Sequence, residues 1–220
     1  METAITAVVD GKLTNEALGG IQRRTNEIVR RVEDGAITFD WVMDELQRMV
    51  EGRENTSPNL PAFLLWKTLK LGTHKSAKEL RKAMEQAGCN ISDWAGGMLK
   101  QNAFTVAGQE TDIDLVVVSV AELRFATGAT RKDIYERAIQ LGLALCPAEV
   151  GPQLRLQYLD QPMDEWLRIA MEPITDSDGG LSVFRVAHDG DGPWLRSDRG
   201  RPGSVWRAGN RWVFTRRKSK

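Results

Sequence analysis

Apolar residues follow helical spacing in the first part of the chain and strand spacing in the last part. Between residues 14 and 51, apolar positions recur three and four residues apart in two stretches that Asp34-Gly35 separates, which is typical of amphipathic helices. Residues 164–217 instead alternate apolar and polar positions between Asp-Gly and Gly-Asn dipeptides, a pattern typical of hairpin-connected strands. The sequence predicts an α+β fold: an N-terminal helical hairpin, a helical region and a mostly antiparallel C-terminal β-sheet.

A polar segment divides these regions. Residues 52–61 (GRENTSPNLP) contain two prolines and no apolar run, which is typical of a linker. We therefore expect a helical hairpin over residues 1–55 and an α+β main domain over residues 56–220 that ends in a β-meander. The residues expected in the core of the C-terminal sheet are Trp166, Ile169, Val183, Phe184 or Val186, Trp194 and Trp212.

The middle of the chain carries clear local signals. The run DLVVVSV at 114–120 is apolar and β-branched, which predicts a buried strand. Thr130 is a good N-cap for a helix over 131–143. We expect Gly151-Pro152 to break any helix that begins at Pro147, and the alternation that follows predicts a strand. The alternating apolar residues are Leu154, Leu156 and Tyr158.

Charge is distributed unevenly along a chain whose formal net charge is zero. Residues 195–220 carry nine Lys/Arg and one acid, so this basic C-terminal segment has a net charge of +8 and the rest of the chain −8. Arginines interleaved with tryptophan favour a nucleic acid or another polyanion. A solvated edge strand over 211–217, or pairing with the acidic residues 160–194, explains the same pattern. The candidate polyanion-binding residues are Arg196, Arg199, Arg201, Arg207, Arg211, Arg216, Arg217 and Trp206.

The sequence contains no recognisable catalytic, cofactor or metal motif. It lacks a P-loop, G-x-G-x-x-G, G-x-S-x-G and H-E-x-x-H, so no catalytic, cofactor-binding or metal-ligating residue is assigned. The cysteines at 89 and 146 match no metal spacing, and we expect them to be reduced and buried. A small enzyme of unknown reaction stays an alternative, with a cleft near His188, Glu149 or Glu172.

Several stretches of the chain resemble one group of sequences. These are DWVMDELQRMVEG, DLVVVSVAEL, TRKDIYERAIQLGLALCPAEVGPQLRLQY, EWLRIAMEPITDSDGGLSVFRV and the final RWVF. They are similar to uncharacterised (hypothetical) proteins of uncultivated bacteria, and CPAEVGPQLRLQY is the most distinctive stretch. The resemblance implies a bacterial, intracellular protein and brings no activity and no site residue.

The expected function is binding rather than catalysis. The N-terminus lacks the basic start and long apolar core of a signal peptide, and no apolar run approaches about 20 residues, so we expect a cytoplasmic protein without membrane contact. Each N-terminal helix must bury an apolar stripe. We therefore expect a non-catalytic binding or regulatory protein that associates, with itself or with a protein partner, through residues 14–51. The alternatives are a nucleic-acid (polyanion) binder and the small enzyme.

Overall fold

The structure, a computed structural model, describes residues 8–9, 12–34, 39, 42–43, 46–47 and 63–216. The chain divides into two compact units, Met1–Asn59 and Leu60–Lys220, and the division falls within the polar segment 52–61. Most of the second predicted N-terminal helix lies outside the described residues, as does Arg217.

The first unit contains a short hairpin and one long helix. Strands β1 (Val8–Val9) and β2 (Lys12–Leu13) pair antiparallel, and α1 spans Asn15–Glu33. The main-chain N–H of Leu18 donates to the carbonyl of Thr14 at 2.9 Å, so the helix begins where the sequence predicts. Ion pairs one helical turn apart reinforce α1, because Glu27 lies 2.9 Å from Arg30 and 3.1 Å from Arg31.

The second unit mixes short helices with strands. Its elements are, in chain order, β3 (Lys67–Leu71), α2 (Ala77–Gln86), β4 (Asn90–Ile91), α3 (Asp93–Met98), β5 (Thr111–Ser119), β6 (Ala129–Thr130), α4 (Arg131–Gln140), β7 (Leu143–Ala144), α5 (Val150–Gln157), β8 (Trp166–Ile169), β9 (Ile174–Thr175), β10 (Leu181–Asp189), β11 (Gly192–Arg199), β12 (Val205–Trp206) and β13 (Arg211–Arg216). The sequence predicts the N-cap of α4 correctly: the Thr130 hydroxyl accepts from the N–H of Asp133 at 3.2 Å.

One large sheet organises this unit. Its strand order is β3-β5-β13-β8-β10-β11-β4, with β7 also paired to β13 and β9 to β10, while β6 and β12 form a separate pair. Only β13–β8 and β11–β4 run parallel among the described pairs. The predicted α+β class with a mostly antiparallel sheet is confirmed.

Strand β13 does not lie at the edge of the sheet. It pairs with β5 on one side and β8 on the other, so that Val213 lies between Val117 and Ile169. Trp212, Val213 and Phe214 are all fully buried. The interpretation of this segment as a solvated edge strand is therefore wrong, and so is the simple meander, because β13 returns to pair with a strand from the middle of the chain.

Helix α5 also differs from the prediction, since a helix forms through Gly151-Pro152. Pro152 is the third residue of α5, within the first turn, where the N–H that proline lacks would have no partner inside the helix. Gly151 allows close packing on the sheet: a Cβ there would lie 2.7 Å from the side chain of Phe184. Leu154 and Tyr158, four residues apart, are both buried, as helical spacing requires.

The two faces of the sheet have different environments. Directly paired residues share a face, so Leu167 of β8 and Val186 of β10 lie together on the side of Phe184 that packs against α5. On the opposite face, Tyr135 of α4 contacts Trp212 with ring centroids 5.6 Å apart. Beyond this contact, over β8, β10 and β11, the same face carries arginines and tryptophans.

Two further predictions concern burial. Cys89 and Cys146 are unpaired and buried, as expected, and burial raises the pKa of both thiols. Trp166, which was expected in the core, is 46% exposed. Among the described residues, no helix is long and apolar enough to span a membrane.

Candidate functional surfaces

The first unit exposes large apolar side chains on helical residues. In α1, Leu18, Ile21 and Val29 are 48%, 52% and 51% exposed. Three further exposed residues lie in helical positions downstream and are 46–63% exposed: Phe39, Met43 and Leu46. We call these six residues the N-terminal apolar surface. Leu18, Ile21 and Val29 lie on one side of α1, and exposed apolar side chains that form a contiguous patch are typical of a binding surface.

Three arginines lie in one row across neighbouring strands of the second unit. Arg185 of β10 is directly opposite Arg168 of β8 on one side and Arg196 of β11 on the other. Adjacent strands are about 4.8 Å apart, so three cations lie side by side on one face. Cations directly opposite each other repel, and this arrangement therefore needs compensation.

Each arginine of the row stacks on a tryptophan. The guanidinium carbons of Arg168, Arg185 and Arg196 lie 4.6, 4.7 and 4.3 Å from the ring centroids of their partners. The partners are Trp206, Trp166 and Trp194, respectively. Stacking on an aromatic face stabilises a cation.

Two carboxylates compensate the positive charge of this row of arginines. Asp198 lies 2.8 Å from Nε of Arg168 and 2.9 Å from Nη1 of Arg185. Asp189 lies 2.6 Å from Nη2 of Arg196. Three guanidinium groups therefore share two carboxylates within the row.

Arg168 borders a cleft of about 470 Å³. Its side chain is only 6% exposed. The cleft lies between the start of β8 and the turn that precedes β13, and its lining residues are Pro162, Met163, Asp164, Glu165, Trp166, Arg168, Gly209, Asn210 and Arg211.

The predicted polyanion-binding residues are spread over several environments. Arg196 and Arg211 pair with acids within the second unit, at 2.6 Å each, and Arg216 donates to the carbonyl of Phe63. Trp206 is buried against Trp212 and Arg168, so its ring is not open to a stacking partner. Among the described residues, three of the predicted arginines are exposed and form no ion pair: Arg199, Arg201 and Arg207.

The residues named for an enzymatic cleft do not converge. His188 Nδ1 lies 2.5 Å from the carbonyl oxygen of Gln161, so that ring nitrogen is engaged with the main chain rather than with a nucleophile. Glu149 is 1% exposed, and its carboxylate accepts from the N–H groups of Gly72 and Ala107. Glu172 is exposed. In the part of the chain that the structure describes, no cluster of three or more His, Cys, Asp or Glu could hold a metal ion.

Sequence reasoning missed the polar residues inside α5. Gln153 is fully buried and donates to Glu149 at 2.9 Å and to the Thr73 hydroxyl at 2.8 Å. Gln157 bonds both the N–H and the carbonyl of Lys70. Glu149, Gln153 and Gln157 are spaced four residues apart, which puts their side chains on one face of a helix. This spacing is the sequence signal that could have predicted α5. Their hydrogen bonds fasten α5 to β3.

A second cleft, of about 500 Å³, lies beside α3. Trp94 is 52% exposed there and donates from Nε1 to Asp178 at 2.7 Å. Its lining residues are Ile91, Ser92, Asp93, Trp94, Ser177, Asp178 and Trp194.

Comparison with known proteins gives no match, since no family model, no curated protein and no solved structure is significantly similar to this chain. The similarity to hypothetical proteins of uncultivated bacteria stays a prediction. The function must therefore be argued from these surfaces alone.

Proposed function

We propose that this protein is a non-catalytic binding protein and that it self-associates through the N-terminal apolar surface. The observation that supports this most directly is the exposure of Leu18, Ile21 and Val29 on one helix. Water contact of such side chains costs roughly 25 cal/mol for each Å² of apolar surface. A partner that covers them recovers this free energy.

The spacing in α1 suits a second helix of the same kind. Positions 18, 21, 25, 28 and 32 are Leu, Ile, Thr, Ile and Val, and this alternation of three and four residues is the pattern by which two helices pack side by side. A single copy leaves Leu18, Ile21 and Thr25 exposed and Ile28 and Val32 half-buried. A symmetric pair would cover the same stripe on both copies.

Charge also favours a second copy of this chain as the occupant. Helix α1 contains four arginines and three acids, and Asp34 directly after it adds a fourth acid, so this segment has no net charge by which two copies would repel each other. Glu27 already pairs with Arg30 and Arg31 within the helix. Part of the charge beside the stripe is therefore compensated within the helix.

Sedimentation velocity on the full chain tests this proposal. We expect a concentration-dependent dimer that Ile21→Glu converts to a monomer, because a carboxylate in a buried apolar contact carries a large desolvation cost. Asn26→Glu is the matched control: it adds the same charge at an exposed position of α1, about 140° around the helix from Ile21, and should leave the dimer intact.

Circular dichroism verifies that both variants keep their helical content. Since Ile21 is 52% exposed, its substitution should not disturb the fold of a single copy. A wild-type chain that sediments as a monomer at every concentration would overturn the proposal, as would a dimer that Ile21→Glu does not weaken.

Polyanion binding is a second candidate, supported by the exposure of Arg199, Arg201 and Arg207 without an ion pair among the described residues. Each neutralised phosphate releases counterions. Removing these three arginines should therefore lower the slope of log affinity against log salt by about 2 to 3.

Fluorescence anisotropy with a labelled single-stranded oligonucleotide at low and physiological salt measures this slope. The control for total charge is a triple variant in which three exposed lysines are replaced by Ala: Lys78, Lys82 and Lys100. Equal loss in both triple variants, or no binding at low salt, would remove this candidate.

A further inference from the structure

Arg168 is a buried cation with unused donors, as is Arg131, and Arg168 also lines a cleft. A guanidinium has five N–H groups. Nε of Arg168 lies at ion-pair distance from Asp198, but its N–H is not aligned for a hydrogen bond. Neither Nη group has a hydrogen-bond partner among the described residues, although the side chain is only 6% exposed. Of the three nitrogens, only Nε is fully buried without a hydrogen bond, and buried polar groups are seldom left unpaired in this way.

The electrostatic surroundings of Arg168 leave its charge incompletely compensated. Burial is the main cause that lowers the pKa of this guanidinium; Asp198 opposes the shift, and the charge of Arg185 adds to it. Asp198 cannot fully compensate the charge of Arg168, because its other carboxylate oxygen accepts a hydrogen bond from Arg185 at 2.9 Å. A further anion near Arg168 would complete the compensation.

The cleft provides the space for such an anion. Arg168 lines it together with Gly209 and Asn210. The side-chain oxygen of Asn210 accepts from the N–H of Arg207 at 2.9 Å, which turns the amide nitrogen away from that bond, and this nitrogen has no partner among the described residues. The cleft thus offers a guanidinium and an amide as donors.

The rest of the cleft determines what the anion is attached to. Trp166 is 46% exposed, and Pro162 and Met163 add apolar wall. At about 470 Å³, the cleft is within the range of small-molecule sites and is much larger than one inorganic ion. The ligand therefore needs an apolar or aromatic body.

The acids of the cleft limit the ligand to one anionic group. Glu165 is occupied, since Arg211 lies 2.6 Å from one of its oxygens and the Tyr158 hydroxyl donates to the other at 2.9 Å. Asp164 is exposed and forms no ion pair with the described residues. It would repel a second anionic group, which argues against a polyanion here.

We infer that the cleft between residues 162–168 and 209–211 is a binding site for a small ligand, or a chain end, with one carboxylate or phosphate group and an apolar or aromatic body. The anionic group binds the free Nη groups of Arg168, and the body lies against Trp166. This site is independent of the N-terminal apolar surface, so the two proposals fail separately.

Isothermal titration calorimetry of the full chain with phenyl phosphate and with phenylacetate tests the site. We expect at least one of the two to saturate it and to bind more tightly than inorganic phosphate or acetate, because only the phenyl compounds reach Trp166. The tighter of the two probes identifies the anionic group. No saturable binding of either probe would overturn the inference.

Variants locate the binding. Arg168→Met should weaken it at least about tenfold, the loss expected for charge-assisted hydrogen bonds. Trp166→Ala should weaken it about two- to tenfold. Trp94→Ala, which removes a similarly exposed tryptophan from the other cleft, should leave the affinity unchanged. Unchanged affinity in a folded Arg168→Met chain, or equal losses in the two tryptophan variants, would contradict the assignment.

A buried arginine can also be needed for folding, so a further variant tests the site without it. Arg211 is 44% exposed, and Arg211→Ala should not disturb the core. This change leaves Glu165 without its cation, which adds uncompensated negative charge to the cleft. We expect weaker binding of the anionic probe, and unchanged or tighter binding would count against the site.

Discussion

Arg155 and Arg168 are both almost inaccessible to solvent, but their surroundings differ. Arg155 is fully buried and donates only to neutral oxygens: the side chain of Gln161 at 2.6 Å, the carbonyl of Ala187 at 2.9 Å and the carbonyl of Tyr158. Arg168 has a shared carboxylate, a stacked tryptophan and unused Nη donors.

The difference separates a structural arginine from one available to a ligand. Arg155 holds the end of α5 against β10, and both of its Nη groups are occupied. Arg168 lines a cleft, and its Nη donors have no hydrogen-bond partner among the described residues. Burial alone therefore does not indicate the role of a charged residue; the occupancy of the hydrogen-bond donors and the position beside a cleft distinguish these two arginines.

The strongest test of this comparison is Arg155→Met. It leaves three buried acceptors without their donor, and each such loss costs about 1–3 kcal/mol. We expect the free energy of unfolding to fall by about 3 kcal/mol or more, measured by urea denaturation. A loss below about 1 kcal/mol would show that Arg155 does not fasten α5.

The close packing of α5 on β10 is tested by Gly151→Ala. The added Cβ would lie 2.7 Å from Phe184, and such overpacking typically costs about 1–3 kcal/mol. Gly203→Ala is the matched control, because no atom lies within 4 Å of a Cβ there. Equal stability of the two variants in urea would mean that α5 can move away from the sheet at little cost.

Tyr158 connects the two regions, since its carbonyl accepts from Arg155 and its hydroxyl donates to Glu165 beside the cleft. Burial, with Glu165 adding to it, raises the pKa of this phenol to about 12. The folded state therefore favours the neutral phenol. The corresponding stability is fully present below pH about 10 and is lost as the pH rises through about 12.

The ultraviolet absorbance of the phenolate during an alkaline titration measures this shift. Glu165→Gln should lower the pKa of Tyr158 toward its ordinary value without restoring it fully, because burial is the larger cause. A Tyr158 that titrates at its ordinary pKa in the folded wild-type chain would contradict the described contact.

The smallest effect on stability is expected for Arg168→Met, the same substitution as at Arg155. It removes a poorly compensated buried charge, while Asp198 keeps Arg185. We expect the free energy of unfolding to change by less than about 1 kcal/mol in either direction, because Asp198 keeps a cation and no buried charge is left unpaired. A loss as large as that of Arg155→Met would make both arginines structural.

Local signals predicted part of this architecture. Thr130 at the start of α4, the Asp-Gly turn between β10 and β11, and the apolar run within β5 were all identified. Each depends on residues within one turn or one strand of each other, where capping and side-chain periodicity act directly.

The candidate sites were less accessible to prediction. Arg196 and Arg211 were selected for their charge, yet each pairs with an acid from another element. Arg168 was not selected, because nothing local distinguishes it. Its interest comes from Arg185, Asp198 and Trp206, which three other strands bring to it.

The sequence by itself determined the elements with strong local patterns, the α+β class and the amphipathic character of α1. The tertiary structure decided that 211–216 is a central strand and that 150–157 is a helix. Pairing between strands distant in sequence sets the position of β13. In α5, Gly151 packs against Phe184, although the local alternation of apolar and polar residues favours a strand. Such long-range contacts outweigh propensities of a few tenths of a kcal/mol per residue, and they placed Arg168 beside its cleft.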